Sequence, residues 1–148
     1  MQAKEIMTTR LVTAGLETPI EEIAQLMLEH KISAVPIMDS DQRLLGIVSE
    51  TDLLRREETD TEKLAQSWWL RLFNSKDKLV TATVKTRGHH AKDIMTTPAI
   101  SIDEAMTIQD VASLFLRRKI NQAPVLRKGK LAGIVSRGDL VSAIALQK

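Results

Sequence analysis

Cysteine is absent from this chain of 148 residues, which excludes disulfides, thiolate nucleophiles and cysteine-ligated zinc. The absence fits a cytoplasmic location. No apolar run approaches the roughly 20 residues a helix needs to span a bilayer, and no signal-peptide core stands at the N-terminus, so no membrane association is expected. Strong charge is missing as well: 21 Lys and Arg against 19 Asp and Glu leave +2, too little to point to nucleic acid as a partner. Histidine occurs only at His30, His89 and His90. No carboxylate sits at metal-ligand spacing from the adjacent pair, so His89-His90 reads as linker and no metal site is expected. Gly129 and Gly133 lack the following Lys-Ser/Thr of a P-loop. Asp39-x-Asp41 lacks the Gly and distal Glu of a calcium loop. No nucleophile–base pair is visible either, so no catalytic residue is assigned and an enzyme is not expected.

What the chain does have, it has twice. Gly46-Ile47-Val48-Ser49-Glu50-Thr51-Asp52-Leu53 returns 87 residues later as Gly133-Ile134-Val135-Ser136-Arg137-Gly138-Asp139-Leu140. Ile6-Met7-Thr8-Thr9 returns 88 residues later as Ile94-Met95-Thr96-Thr97, and 32–37 returns at the same offset as 120–125. Repetition at a fixed spacing sets the architecture before any motif does. The chain therefore divides into a first repeat (1–57), an insertion (58–91) and a second repeat (92–148).

Each repeat reads as β-α-β-β-α. In the first, Leu11-Val12-Thr13 is extended, and Thr18-Pro19 looks like a helix N-cap with Pro at the first helical position. Ile20, Ile23, Ala24, Met27 and Leu28 then form an amphipathic helical stripe. Ala34 to Met38 is a strand, in which Pro36 hints at an edge or ligand-facing position. Asp39-Ser40-Asp41 turns into a second strand, Leu44 to Ser49, and a helix starts near Glu50. The second repeat follows the same course. Ala99-Ile100-Ser101 is extended, and Ile108, Val111, Ala112, Phe115 and Leu116 form the stripe. Strands at Gln122 to Leu126 and Leu131 to Ser136 flank the turn 127–130, and a last helix carries Leu140, Val141 and Ile144. Neither repeat alone buries both faces of its helices. Two copies packed about a pseudo-twofold axis would, leaving a cleft where they meet. In the insertion, Leu64, Trp68, Trp69, Leu72 and Phe73 suggest a short amphipathic helix, for packing within the chain or in a homodimer.

Charge is uneven. Residues 1–57 carry six basic and ten acidic side chains, whereas 92–148 carry nine and five. The runs Arg117-Arg118-Lys119 and Arg127-Lys128-x-Lys130 read as a solvated helix end and turn before they read as nucleic-acid contacts.

The motifs Ile-Met-Thr, Ser-Ala-Val-Pro (Asn-Gln-Ala-Pro in the second copy) and Gly-Ile-Val-Ser-x-x-Asp-Leu resemble those of a tandem of CBS domains, the Bateman module. The resemblance covers nearly all of the chain outside 58–90. The insertion 67–72 is similar to that of small bacterial CBS-pair proteins that often carry a C-terminal BON domain; no such domain lies within the 148 residues. The resemblance implies an α/β (α+β) fold and a regulatory module without catalysis. It would take AMP, ADP, ATP or another adenosyl compound as ligand, form a homodimer and act on a regulated partner protein. It also implies two ligand sites. One would combine Ser136, Arg137 and Asp139 with Thr9, Val12 and Ser33, Ala34, Val35, Pro36. The other would combine Ser49, Thr51 and Asp52 with Thr97, Ile100 and Asn121, Gln122, Ala123, Pro124. Asp would accept ribose hydroxyls, strand backbone beside Pro would read an adenine edge, and the Ser hydroxyl at a helix N-terminus would suit a phosphate. Arg137 could add its backbone N–H and guanidinium to the same anion, where Glu50 would repel it. Asp three residues after Ser is also an ordinary helix-capping arrangement. A structural dimerisation module with vestigial clefts, or a nucleic-acid-binding protein, are the alternatives.

Overall fold

The computed structural model describes residues 1–59 and 89–146. It divides into two compact units, and the division does not follow chain order. One unit comprises Val12–Asp41 and Leu45–Pro98, the other Met1–Leu11, Gln42–Leu44 and Ala99–Lys148. Each repeat is thus completed by the leading segment of the other copy.

In the first-repeat unit, β1 (Ala14–Gly15), β2 (Ala34–Met38) and β3 (Leu44–Ser49) form a sheet in that order, with α2 (Ile20–His30) between β1 and β2 and α3 (Glu50–Thr59) after β3. The short helix α4 (Ala91–Ile94) belongs to the same unit. The α2 stripe buries Ile20, Ile23, Ala24 and Met27, which join Val35, Ile37, Val48, Leu53 and Ala91 in one cluster. Burying an aliphatic side chain of this size contributes about 1.5–3 kcal/mol, so these residues dominate the unit's stability. Leu28, expected in the stripe, is instead 48% exposed.

Local expectations shift here by small, explicable amounts. The extended piece expected at Leu11-Val12-Thr13 forms its strand at Ala14–Gly15. Pro19, not Thr18, is the N-cap of α2. The Thr18 hydroxyl instead accepts the Gly15 N–H at 2.9 Å, closing the turn before the helix. Pro36 lies on the middle strand rather than an edge one. It is tolerated because β1 is only two residues long and pairs with Ile37 and Met38, so its ladder stops short of Pro36. The insertion's proposed helix with Trp68 and Trp69 lies outside the described residues.

The second-repeat unit repeats the plan. Its elements are α1 (Ala3–Ile6), β4 (Ile102–Asp103), α5 (Ile108–Arg118), β5 (Gln122–Arg127), β6 (Lys130–Ser136) and α6 (Arg137–Leu146), with sheet order β4-β5-β6. β5 and β6 are antiparallel and β4 is parallel to β5. Lys128 (φ 51°) and Gly129 (φ 79°) make the two-residue turn between β5 and β6, both in the left-handed region that such hairpins require. Ile102, Ile108, Val111, Phe115, Val125 and Val135 pack with Ala3 of α1. Helices α2 and α5 both end on a lysine in the left-handed conformation, Lys31 and Lys119. None of the described helices is long and apolar enough to cross a membrane.

The exchanged segments dock by matching bonds. Ala3 N–H donates to Met106 and Lys4 N–H to Glu104; in the other unit Ala91 N–H donates to Thr18 and Lys92 N–H to Leu16. Thr8 and Ile134 exchange both backbone bonds, at 2.8 and 3.0 Å, and Thr96 and Ile47 do the same at 2.9 and 3.1 Å. Glu17 also holds the Lys92 ammonium, an exposed pair that raises the Lys92 pKa by hydrogen bond and charge. His89 and His90, expected as plain linker, are part of this docking. The His89 carbonyl accepts from Ile20, and His90 starts α4 with its N–H on Asp93 at 2.8 Å.

Candidate functional site

The Ser-x-x-Asp element is formed the same way in both units. A half-buried strand delivers Ser, and the helix begins at the next residue. Ser136 N–H donates to Asp139 Oδ2 at 2.8 Å, while Asp139 N–H donates to Ser136 Oγ at 3.2 Å. Ser49 N–H donates to Asp52 Oδ2 at 2.8 Å, and Asp52 N–H to Ser49 Oγ at 3.3 Å. These are reciprocal capping boxes, so the capping reading of the motif holds in both copies. Capping does not consume the whole carboxylate, because the second oxygen of each Asp remains.

There the two copies part. Asp52 is 8% exposed. Its Oδ2 also accepts the Ser49 hydroxyl at 3.0 Å, and its Oδ1 accepts the Thr96 hydroxyl at 2.9 Å. Asp139 is half-buried, and among the described residues its Oδ1 accepts no hydrogen bond. Among the described residues Asp139 therefore keeps one oxygen uncommitted, and Asp52 does not.

The remaining expected residues fall into two groups. Thr9, Ile100, Asn121, Gln122, Ala123 and Pro124 share a unit with Ser136, Arg137 and Asp139, whereas Val12, Ser33, Ala34, Val35, Pro36 and Thr97 share the other with Ser49, Thr51 and Asp52. Within each unit the Ser-x-x-Pro strand meets the helix start directly. Arg137 N–H donates to the Asn121 carbonyl at 2.7 Å, and Glu50 N–H to that of Ser33 at 3.0 Å. That bond corrects the expectation that the Arg137 N–H is available to an anion. The Arg137 side chain is exposed and makes no ion pair among the described residues. The Ser49 hydroxyl, expected to suit a phosphate, is likewise committed to Asp52. Thr97 donates its hydroxyl to the Leu45 carbonyl at 2.8 Å. Residues 122–124 lie outside the β4 ladder, which engages only Val125 and Leu126. No group of three or more His, Asp or Glu among the described residues is placed to hold a metal.

Thr96 is the residue that motif reading missed. It stands in the repeated Ile-Met-Thr, but nothing in the linear sequence ties it to an Asp 44 positions away.

The family model for the CBS domain matches residues 3–58 and 91–146. The chain belongs to the CBS-domain family, with two copies. It is 34% identical over 140 residues to the chloroplastic CBS domain-containing protein CBSX1 of Arabidopsis thaliana, covering 88% of this chain and 57% of that protein. It is 30% identical over 158 residues to the protein MJ1426 of Methanocaldococcus jannaschii, covering 97% of this chain and 91% of that one. Among solved structures, CBSX2 in complex with AMP is similar with a TM-score of 0.73 at 27% identity, over 99% of this chain and 98% of that one. The chain thus spans a little over half the length of the plant CBSX1 sequence but nearly all of the solved CBSX2 chain.

Proposed function

We propose that this CBS pair is a non-catalytic regulatory module that binds an adenine nucleotide at its Ser-x-x-Asp motifs, with Asp139 as the principal ribose acceptor. The observation that carries this reading is the half-buried Asp139. Its Oδ2 is fixed by Ser136 while its Oδ1 accepts nothing among the described residues. A carboxylate held rigid on one oxygen is pre-organised to accept ribose hydroxyls on the other, in charge-assisted bonds of about 1.5–3 kcal/mol each. The AMP complex of the similar CBSX2 supports this ligand class. A cytoplasmic location, a homodimer and a regulated partner protein complete the reading.

A thermal-shift panel across AMP, ADP, ATP, NAD, S-adenosylmethionine and cyclic dinucleotides tests it. An adenosyl ligand should raise Tm, and Asp139→Ala should remove most of the rise while Asp52→Ala removes little. Equal losses, or a larger loss from Asp52→Ala, would count against the asymmetry. Arg137→Ala should weaken AMP about tenfold, near 1.4 kcal/mol, and leave adenosine nearly untouched, because its guanidinium is an exposed cation two residues before Asp139 and makes no ion pair among the described residues. Equal losses for AMP and adenosine would assign Arg137 to the solvated surface.

A further inference from the structure

We infer that Thr96 is a built-in occupant of Asp52: its hydroxyl holds the oxygen that a ribose hydroxyl would otherwise take, and so keeps the first-repeat motif closed to nucleotide while the Asp139 motif stays open. This rests on the nucleotide reading above and adds which of two near-identical motifs works.

The two elements start from the same residues. Both contain Ser-x-x-Asp, both follow Gly-Ile-Val, and both face a Met-Thr from the exchanged segment. In both, Thr is pinned by a pair of backbone bonds, Thr96 to Ile47 and Thr8 to Ile134. Only Thr96 then reaches the aspartate, at 2.9 Å from Asp52 Oδ1. Thr8 makes no such bond to Asp139 among the described residues. The Thr96 hydroxyl rides on a backbone held at both its N–H and its carbonyl by Ile47, at 2.9 and 3.1 Å. It is therefore a rigid donor rather than a passing surface contact.

A threonine hydroxyl and a ribose hydroxyl are the same chemistry toward a carboxylate, each an O–H donor on a saturated carbon. Asp52 has its Oδ2 on the Ser49 N–H and hydroxyl and its Oδ1 on Thr96. With only 8% of the residue exposed, little of it is left for a ligand. A nucleotide arriving there must displace Thr96 and leave that hydroxyl unpartnered, a cost the Asp139 motif does not impose. Specificity between the copies thus comes from one internal competitor rather than from the motif.

Calorimetric titration of the full chain with AMP decides it. The wild type should bind one equivalent, with any second at least tenfold weaker. Thr96→Val, which removes the hydroxyl and keeps the shape, should strengthen the second equivalent at least tenfold. Thr96→Ser should restore wild-type behaviour, and Asp52→Ala added to Thr96→Val should abolish the gained site. Two equal equivalents in the wild type, or a Thr96→Val variant that still binds only one, would overturn the inference and leave the nucleotide reading standing. Absence of AMP binding in the wild type and every variant would sink both. A check independent of variant folding uses the Thr96 methyl resonance in the wild-type protein. It should stay still through the first equivalent of AMP and move only with the second; movement with the first would overturn the assignment.

Discussion

Gly46 and Gly133 have no room for a methyl group. A Cβ on Gly133 would stand 2.8 Å from the Thr8 carbonyl oxygen and 2.6 Å from Met7 Sδ, and one on Gly46 would stand 2.7 Å from the Thr96 oxygen. The Met side chain can swing aside, but the backbone oxygen is pinned by its own bond to Ile134. Gly133→Ala should therefore cost about 1–3 kcal/mol, the range for forcing extra volume into a packed site. Gly138 is the contrast. It lies in α6, and its nearest neighbour would be Ser136 Oγ at 3.6 Å. Alanine there should gain about 0.5–1 kcal/mol from helix propensity alone. Urea titrations of both variants measure the two signs, and a neutral Gly133→Ala would refute the close approach. The repeated Gly-Ile-Val-Ser was plain in the sequence, as was its strand-to-helix character. Why it needs glycine was not, because the atoms that exclude a side chain belong to a distant Met-Thr. The same distance hid Thr96 from Asp52.

At the scale of elements, the helical stripes were legible because amphipathic spacing depends only on neighbours along the chain. The strands Ala34–Met38 and Leu44–Ser49 were read to the residue. Pro36 misled because a central strand was assumed to be paired along its whole length, and a two-residue β1 is too short to show as a pattern. Four of the five residues in the stripe Ile20 to Leu28 are committed to their own unit's core. Among the described residues the most exposed large apolar side chains are on α5 and α6, with Leu116 at 81%, Val141 at 61%, Ile144 at 65% and Leu146 at 81% exposed. Large side chains at that exposure suit association better than water. Light scattering at tens of micromolar should give at least twice the 16.5 kDa chain mass, and Val141→Glu with Ile144→Lys should return it to the monomer value with unchanged far-ultraviolet circular dichroism. A wild-type chain that scatters only as monomer would rule the homodimer out.

At the scale of the whole molecule, the exchange of leading segments makes sequence order a poor guide to what folds with what. The repeat was visible from two offsets, yet those offsets say only that 1–11 and 89–98 are equivalent, not which copy each completes. Residues Ala3, Ile6 and Met7 pack on the core of Ile102, Val125 and Val135. The same segment makes backbone bonds to Met106, Glu104, Ile108 and both groups of Ile134. At about 0.5–1.5 kcal/mol net per bond, plus the buried apolar surface, the segment contributes several kcal/mol. Small domains have about 5–15 kcal/mol in all. Deleting residues 1–11 should therefore loosen the second repeat, although the deletion lies at the far end of the chain and adjoins the first. Hydrogen exchange measures this amide by amide. Protection at Val125, Ile134 and Val135 should fall steeply while that at Val35, Ile37 and Val48 is largely kept, and the synthetic 1–11 peptide added in excess should restore part of it. Loss centred on the first repeat would mean that each leading segment completes its own copy after all.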